Sequence, residues 1–581
     1  MPTPRVLALP SLTLAALLAS TLTASSQGPV TPQLTDPRHP LLNQGPKAVA
    51  EGDRVMVSTQ LPAATKAALD VLRDGGNAVD AAIAATLVQC VIDFHQTSLF
   101  GSMTGIYYEA KTGRFHAFNA YAERPRSDRP GGQGDAMKVA IAGKVRALDQ
   151  LRERWGTRPW ASYFGPAIET AEQGFVMTSF MFASNYADWA GSEWIRSNPA
   201  AREVFMPDGH LVPVGGIWKM PALATTLRRL AQEGPEYMHS GDWAQKFVAE
   251  AGKRGGRVTL DDLKEYEVMW LEPLRFTYRG HEIVTEPPPV AGGSMLGYNL
   301  TILEQFDLAR SGHYAESLDT LEIIARTFGR VENEVRYSMG DPRGQHVPTS
   351  IWLSKDYGRL GAEVIRQTMP KVSLAPATTT AAAVGPDPAL DDPINPYHDD
   401  SNHNVIVDVE GNWISYLHTM HGGAPDMFID GVRVIGSGRW AQTTGPGRRT
   451  HTAIAATFVL KDGKPWLSIG SPGLPAMPVT VTLLNVLDFG MSPDRAADAP
   501  RFWAYRDRGP SRDFGNLPVL EIESRISDEV RAGLRARGIQ LRDLGPYNWN
   551  TGSMQIVWRD LQTGKLRGAT DPRRLGHAEG F

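Results

Sequence analysis

A strand, a glycine-containing turn and a second strand recur along the chain, and this pattern limits the folds open to it. Apolar β-formers flank each turn, as is typical of antiparallel hairpins. The pattern occurs once in the first half and three times after residue 400, at 105–118, 405–416, 457–469 and 554–567. Because hairpins and helical stretches occur in both halves, the sequence predicts an α+β chain with stacked sheets between helical layers.

The stretches between the hairpins carry apolar residues at helical spacing. Leu61–Val91 is small, apolar and Ala-rich, and its break at Asp74–Asn77 predicts two buried helices joined at a glycine cap. Residues 140–370 are predicted to be mostly helical. The proline and glycine run at 285–294 is predicted to be a rigid and then flexible loop.

The composition excludes several classes of protein. The 581 residues include 59 Lys and Arg and 63 Asp and Glu, a formal net charge of −4. This balance excludes a strongly basic nucleic-acid binder and a highly acidic disordered chain, so we expect no nucleic-acid partner. Cys90 is the only cysteine, which excludes an intrachain disulfide and a multi-cysteine zinc or iron–sulfur site.

The first 26 residues have the order of a secretory signal. A short start with one positive charge precedes the apolar run Val6–Ala24, and small polar residues follow it. The alternative is a membrane anchor, because the run approaches the length that spans a bilayer. We expect a signal peptide over 1–26, a periplasmic or secreted protein, and no membrane contact after signal removal. A cysteine-poor chain fits such a compartment.

The chain changes character between residues 370 and 400. This stretch is rich in Ala, Thr and Pro and has no periodic apolar face, so we expect an exposed, mobile linker. It ends at Asp400, directly before Ser401 and a predicted strand. If the Asp400–Ser401 bond were cut, the α-amine of Ser401 could take the proton of its own hydroxyl. One residue would then supply nucleophile and base. The alternative is an ordinary Ser and Asn turn that leads into a strand.

Four further motifs stand in a fixed order along the chain. They are Leu72–Ala82, Gly255–Leu263, Gly470–Gly473 and Gly568–Arg574, and the run Ser401-Asn402-His403 lies between the second and the third. Together they resemble the gamma-glutamyltransferase (gamma-glutamyltranspeptidase) family of N-terminal nucleophile hydrolases over nearly the whole mature chain. The resemblance implies a four-layer αββα sandwich made as one precursor.

The resemblance also implies that the precursor cuts itself at Asp400–Ser401. The large subunit would span 27–400, including the linker 370–400, and the small subunit would span 401–581. Ser401 would be the nucleophile, in a position where the family has Thr. The hydroxyl is kept and one methyl is lost, which relaxes control of the side-chain rotamer.

Two further catalytic features follow from the resemblance. Thr419 falls where a threonine on the neighbouring strand hydrogen-bonds the nucleophile. The backbone amides of Gly473 and Leu474 fall at the oxyanion hole, and backbone N–H groups do not depend on the side chain. On the residues alone, Thr419 could be an ordinary strand threonine, and the loop at 470–474 could be a tight turn.

The departures from the family concern the residues that would bind the substrate. Tyr121 stands where the family has an arginine for the glutamyl α-carboxylate, although Arg124 or Arg126 would take that place if the alignment shifts. Thr452 and Ala453 replace a pair of serines. Loss of a bidentate arginine removes a charge-assisted pair, so we expect an acyl group that lacks the glutamyl zwitterion.

The histidines allow a different interpretation. His398, His403, His418 and His421 lie within 24 residues, and Asp399 or Asp400 could complete a zinc site. Residues on a strand need not face one point, so we expect no metal and no cofactor. We instead place His403 and His421 with the substrate-binding residues, because His421 stands near an expected asparagine of the family.

These features predict an exported amide hydrolase or acyltransferase that forms an acyl-enzyme on Ser401. The substrate would be a small-molecule amide or peptide, with water or an amine as acceptor. One alternative is a true glutathione hydrolase or gamma-glutamyltransferase with a rebuilt carboxylate site. The other is a catalytically silent binding protein that kept the fold.

Overall fold

The structure is a computed structural model of the 581-residue chain. It describes residues 45–126, 139–182, 193–369, 401–420, 427–434, 444–472, 476–505 and 519–581. The predicted signal peptide and linker, together with Asp400, His421, Gly473 and Leu474, lie outside the described residues. None of the helices in the described ranges is long and apolar enough to cross a bilayer.

The strands of the described residues are β1 (Ala50–Gly52), β2 (Met56–Thr59), β3 (Ser102–Glu109), β4 (Arg114–Ala120), β5 (Phe175–Val176), β6 (Ile217–Trp218), β7 (Met269–Leu271), β8 (Leu274–Tyr278), β9 (His281–Thr285), β10 (Ser401–Val407), β11 (Trp413–Thr419), β12 (Phe428–Ile429), β13 (Val432–Arg433), β14 (Thr457–Lys461), β15 (Lys464–Gly470), β16 (Phe502–Tyr505), β17 (Val519–Ile522), β18 (Gln540–Asp543), β19 (Gln555–Arg559), β20 (Leu566–Thr570) and β21 (His577–Gly580).

The helices are α1 (Pro62–Arg73), α2 (Ala78–Ile92), α3 (Lys144–Trp155), α4 (Gly165–Gln173), α5 (Ser179–Phe182), α6 (Glu193–Ser197), α7 (Pro199–Phe205), α8 (Pro221–Glu233), α9 (Glu236–His239), α10 (Asp242–Lys253), α11 (Leu260–Lys264), α12 (Ala291–Leu303), α13 (Leu308–Ser311), α14 (Leu318–Ser338), α15 (Thr349–Trp352), α16 (Lys355–Thr368), α17 (Ala476–Leu487), α18 (Pro493–Asp498) and α19 (Asp528–Ala536). Short 3₁₀ turns lie at Trp160–Tyr163 and Trp549–Thr551.

Two seven-stranded sheets form the centre of the fold. The first sheet has the order β21-β2-β10-β11-β3-β4-β7, and the second has the order β1-β20-β19-β15-β14-β9-β8. Neighbouring strands in both sheets are antiparallel. Each sheet combines strands that precede the predicted linker with strands that follow it. The two parts of the chain are therefore joined by backbone pairing in both sheets.

Successive side chains of the central strand β10 point to opposite faces of the sheet. Both faces are buried, each in a different core. Val405 packs in a core with Phe458 of the second sheet. Ile406, the next residue, packs in a core with residues of α1 and α2. A third core joins Ile469 of β15 to residues of α12, α14 and α17.

The four predicted hairpins are confirmed as β3–β4, β10–β11, β14–β15 and β19–β20. The predicted helix pair is also confirmed, as α1 and α2. The side chain of Asn77 caps α2 by accepting hydrogen bonds from the N–H groups of Val79 and Asp80. In the β14–β15 turn, Asp462 and Gly463 both have positive φ, as a two-residue hairpin turn requires.

The predicted loop at 285–294 is wrong beyond residue 290, where α12 begins. Gly292 and Gly293 lie in the first turn of this buried helix. A Cβ at Gly292 would collide with the Ala453 carbonyl, and one at Gly293 would collide with the Glu286 carbonyl. The glycines therefore permit close packing rather than flexibility. The mostly helical region also contains β5–β9, and β8 and β9 form one edge of the second sheet.

A buried network of four charges supports the C-terminal strands. Arg573 donates to both carboxylate oxygens of Glu523, at 2.6 Å each, and to Asp571 at 3.2 Å. Asp571 also pairs with Arg501. Burial alone would raise the pKa of Asp571, but the two arginines lower it to about 2. The four buried charges therefore compensate one another, and the half-buried Arg525 also donates to Glu523 at 3.0 Å.

We expect Arg573→Met to lower the free energy of unfolding by about 3–5 kcal/mol, because two buried carboxylates lose a shared partner. Chemical denaturation would measure the loss. Arg359→Met is the matched control, since the Arg359–Asp356 pair lies on the surface and should contribute no more than about 1 kcal/mol. Equal losses for the two variants would contradict the expectation.

Candidate active site

Ser401 is the first residue of β10. At this end, β10 is paired with a neighbouring strand on one side. β11 pairs with the whole of β10, and Ser401 lies opposite Thr419. β2 pairs only with Asn404–Val407, so the first three residues of β10 extend past it. Ser401 is buried, with 2% of its surface exposed. The structure therefore fixes the backbone of Ser401 at the end of a central strand.

Three hydroxyl-bearing residues lie in a row across this end of the first sheet. Ser401 is opposite Thr419, and Thr419 is opposite Ser102 of β3. Residues directly opposite one another project from the same face of a sheet. All three are buried, and no group among the described residues hydrogen-bonds Ser102 Oγ. The row brings Ser401 and Thr419 together and adds Ser102, which the sequence analysis did not name; the catalytic role of Thr419 stays a prediction.

His403 projects from the same face as Ser401, because the two are two residues apart on one strand. Its Nε2 lies 2.9 Å from Ser415 Oγ, and its ring packs against Gly470 of the second sheet. Burial lowers the pKa of His403 to about 3. His403 is therefore a neutral residue between the two sheets, and its contact with substrate stays a prediction.

On the opposite face of β10, Asn402 lies beside an acid that the sequence analysis missed. Asp93 follows α2, and its carboxylate lies 3.2 Å from His95 Nε2. Burial raises the pKa of Asp93 to about 7, against smaller opposing effects of the neighbouring Asn402 amide and the Arg574 charge. An acid whose pKa is raised by burial thus lies behind the residue next to Ser401.

A chain of buried polar groups continues along this face. Lys144 donates to Thr97 Oγ1, which lies 3.0 Å from His418 Nδ1. His418 Nε2 lies 2.8 Å from Gln89 Oε1, and Gln89 in turn bonds Asn404 of β10. Burial, followed by the charge of Lys144, holds the pKa of His418 well below its usual range. His418 and His403 therefore face opposite sides of the sheet and do not converge on one point.

The predicted oxyanion loop follows β15, opposite the start of β19. Ser471 Oγ donates to the Pro472 carbonyl at 2.7 Å and accepts from the Ser553 N–H at 2.9 Å. These bonds fix the first half of the loop. Gly473 and Leu474, which would supply the amides, lie outside the described residues.

Tyr121 and the pair Thr452–Ala453, which are among the residues predicted to bind the acyl group, lie near one another, while His421 lies outside the described residues. Tyr121 follows β4 and packs in a small core with Leu417, Ile454 and Ala456. Thr452 and Ala453, which are half-buried, precede Ile454. Leu417 projects from the same face as Thr419, two residues further along β11. We call the core of Tyr121, Leu417, Ile454 and Ala456 the Tyr121 wall. It lies beside the hydroxyl row, which is the row Ser401–Thr419–Ser102.

The two arginines proposed as replacements for the family arginine have other partners. Arg124 Nη1 donates to the Thr444 carbonyl at 2.7 Å. Arg126 forms an ion pair with Glu265. A third arginine, Arg449, is buried behind Tyr121 and donates to its carbonyl oxygen at 3.3 Å. Arg449 therefore supports the Tyr121 backbone. The contacts of Arg124 and Arg126 do not indicate a carboxylate site at Tyr121.

Residues 64–581 match the family described as gamma-glutamyltranspeptidase. The chain belongs to this family. The Acylase ACY 1 proenzyme of Pseudomonas sp. (strain SE83) is 28% identical over 527 residues, which cover 85% of this chain and 88% of the relative. The glutathione hydrolase proenzyme of Bacillus subtilis (strain 168) is 25% identical over 567 residues, which cover 92% and 93%.

A solved structure supports the fold. The crystal structure of cephalosporin acylase from Bacillus halodurans aligns with a TM-score of 0.75 and 23% identity, over 92% of this chain and 97% of that chain. The predicted family and the mixed α+β fold with several sheets are thus confirmed. As a gamma-glutamyltranspeptidase family member, the chain is an amide hydrolase or acyltransferase, which argues against a silent binding protein.

We expect Gly470→Ala to disturb this site, because a Cβ there would lie 2.5 Å from His403 Nε2. His403 is held by Ser415, so the overlap should cost about 1–3 kcal/mol of unfolding free energy, measured by urea denaturation. Gly252→Ala is the control, since a Cβ at Gly252 meets nothing within 4 Å and alanine favours a helix. A Gly470→Ala chain as stable as the control would refute this account of Gly470.

Proposed function

We propose that Ser401 is the nucleophile of an autoprocessed amide hydrolase or acyltransferase. The observation that carries the proposal is the position of Ser401, buried at the first residue of a central strand and opposite Thr419. The two relatives described above are named as proenzymes, which supports processing of this chain.

In the precursor, the Ser401 hydroxyl would attack the Asp400 carbonyl, and an ester would form as the Asp400–Ser401 amide bond breaks and frees the α-amine of Ser401. Water would then hydrolyse that ester, which releases the Asp400 carboxylate and restores the Ser401 hydroxyl. The amine would take the hydroxyl proton as Ser401 attacks the amide carbonyl of a substrate, and would pass it to the amine that leaves as the acyl-enzyme forms. The backbone N–H groups of Gly473 and Leu474 would stabilise the oxyanion. Water or an amine would release the acyl group from Ser401.

We further propose that the processed chains are 27–400 and 401–581 and that they stay together. The strand order supports this, because β10 from the second chain pairs with β2 from the first, and β14 pairs with β9. The three cores described above support a four-layer αββα arrangement, with helices against the outer face of each sheet. We also propose that the protein is exported to the periplasm or the medium and that residues 1–26 are removed as a signal peptide.

Intact-mass analysis of the purified protein tests the nucleophile. Wild type should give two chains, and the smaller should have the mass of residues 401–581. Ser401→Ala should give one uncut and inactive chain, and Ser401→Thr should still be cut, because it keeps the hydroxyl. Ser162→Ala, at an exposed serine, is the control and should be cut like wild type. An uncut wild type that hydrolyses amides would exclude Ser401 as the nucleophile.

The acyl donor is proposed to lack the glutamyl zwitterion. Tyr121 offers no positive charge, and its wall is formed by Leu417, Ile454 and Ala456. The second candidate, a true glutathione hydrolase with a rebuilt site, is favoured by the glutathione hydrolase relatives. In a glutathione hydrolase of this kind, the glutamyl α-carboxylate of the substrate would need a partner other than Arg124 or Arg126. His403, His421, Thr452 and Ala453 are proposed to complete the pocket.

Paired anilides separate the two candidates. We expect wild type to hydrolyse an apolar acyl anilide at least about 10-fold faster than a γ-glutamyl anilide, measured as kcat/KM, because an unpaired carboxylate is costly to bury. Tyr121→Arg with Ala453→Ser should raise γ-glutamyl turnover, provided that intact mass shows normal cleavage. Tyr121→Phe with Ala453→Ser is the control without the added charge. Efficient glutathione hydrolysis by wild type would favour the second candidate.

A further inference from the structure

Glu286 joins the two sheets beside the Tyr121 wall. It follows β9 and has 1% of its surface exposed. Its Oε1 accepts a hydrogen bond of 2.9 Å from the N–H of Ala456, which precedes β14 of the second sheet. Its Oε2 is hydrogen-bonded to Thr104 Oγ1 on β3 of the first sheet. One carboxyl group therefore bridges the sheets.

The hydrogen atoms available at Thr104 indicate the protonation state of Glu286. Thr104 Oγ1 also lies 3.0 Å from the Phe118 carbonyl oxygen, to which it donates. A hydroxyl has one hydrogen, and a carbonyl oxygen only accepts. The bond between Thr104 and Glu286 is therefore complete when Glu286 carries a proton and donates it. A neutral carboxylic acid satisfies all three contacts at once.

The surroundings of Glu286 favour the same form. Burial raises the pKa of Glu286 to about 8, and the hydrogen bond that the Ala456 N–H donates opposes this increase. The packed elements are β3, β4, β9, β14 and the first turn of α12. At the carboxyl group they present Thr104 and the Ala456 N–H, and no charge of the described residues contributes to the pKa shift.

The segment that begins at Glu286 holds the loop 452–456 at two points. Ala456 is bonded to Glu286, and the Ala291 N–H donates to the Thr452 carbonyl at 2.6 Å. Between these points lie Ala453 and Ile454, and Ile454 packs against Tyr121. The Glu286 carboxyl group therefore fixes the far end of the wall that faces the hydroxyl row.

We propose that Glu286 is a positioning residue, which in its neutral form holds the loop 452–456 against the first sheet and so shapes the acyl-donor pocket. The role rests on the function proposed above. Loss of the proton removes the donor to Thr104 and leaves a buried negative charge with no cation among the described residues that offsets it. The carboxylate keeps the Ala456 bond but loses its hydrogen bond to the first sheet, so the loop is no longer held against β3 and the Michaelis constant for the acyl donor rises.

The direction of the pH effect follows from the two states of the protein. The pKa of Glu286 is about 8 in the folded chain and about 4.3 in an unfolded chain. Its contribution to stability is complete below about pH 4 and is lost as the pH rises through about 8. The pocket should therefore fail on the alkaline side. The amine of Ser401 also loses a proton as the pH rises, but that loss makes it a base and so has the opposite effect on activity.

The pH profile of kcat/KM for the preferred anilide tests this role. Wild type should lose activity above about pH 8, through KM, by about tenfold for each pH unit. Glu286→Gln keeps both bonds, because its amide donates to Thr104 and accepts from Ala456. It should match wild type within about threefold at pH 7 and lack the alkaline loss. Glu286→Leu, which makes neither bond, should have a raised KM at every pH.

Three results would overturn the proposal. One is an alkaline loss that persists in Glu286→Gln, which would assign it to another group such as Lys144. Another is a Gln variant as impaired as the Leu variant. The third comes from urea unfolding of the uncut Ser401→Ala chain between pH 6 and 9.5. Over this pH range, the free energy of unfolding should fall less when Glu286→Gln is added to the Ser401→Ala chain. Curves of unfolding free energy against pH that are parallel for the two chains would exclude a neutral Glu286. This measurement does not need turnover, so it separates failure of the Glu286 role from failure of the Ser401 mechanism.

Discussion

The pairing of β10 with β11 is the constraint on which the rest of the site depends. It places Ser401 opposite Thr419, and the next pairing places Ser102 beside them. It also assigns the two faces of β10, so that His403 enters the space between the sheets while Asn402 meets Asp93. A shift of one residue would exchange these faces. It would bury Asn402 against Gly470 and turn Ser401 toward the helices.

Burial, rather than pairing of charges, sets the acid–base character around this strand. It raises the pKa values of Asp93 and Glu286 to about 7 and 8, and it lowers those of Lys144 and His403 to about 8 and 3. Each change favours the neutral form. The same environment would favour a neutral amine on Ser401, which is the form that can accept a proton. The Arg573 network is different, because its four charges compensate one another.

The sequence predicts the local parts of this structure and misses the long-range ones. Hairpins and the α1–α2 pair are encoded by turn residues and caps within a few positions, so they are found where expected. Gly292 and Gly293 were misinterpreted because a glycine that permits close packing looks the same in sequence as one in a flexible loop. The collision partners, Ala453 and Glu286, are identified only by the folded chain.

The candidate site shows the same division. Ser401, Thr419, Tyr121 and Thr452–Ala453 were found through motifs, and the structure places them near one end of the sheets. Glu286 could not be recognised from the sequence. Its protonation is inferred from its hydrogen bond with Thr104, which is 182 residues away in the chain. Lys144 and Asp93 are likewise ordinary charged residues in sequence. Only their burial distinguishes them, and burial is a property of the fold.

The strand order also constrains when the precursor can be cut. β10 lies between β2 and β11, and β2 pairs on its other side with β21 at the end of the chain. The first sheet is therefore incomplete until nearly the whole chain has been made. In an uncut chain, bringing β10 to β2 costs only loop closure, which grows slowly with loop length. Two separate chains would in addition lose translational and rotational freedom. Since the row Ser401–Thr419–Ser102 exists only after β11 has paired with β10 and with β3, a cut that depends on this row follows that pairing, and the uncut chain is the form that folds.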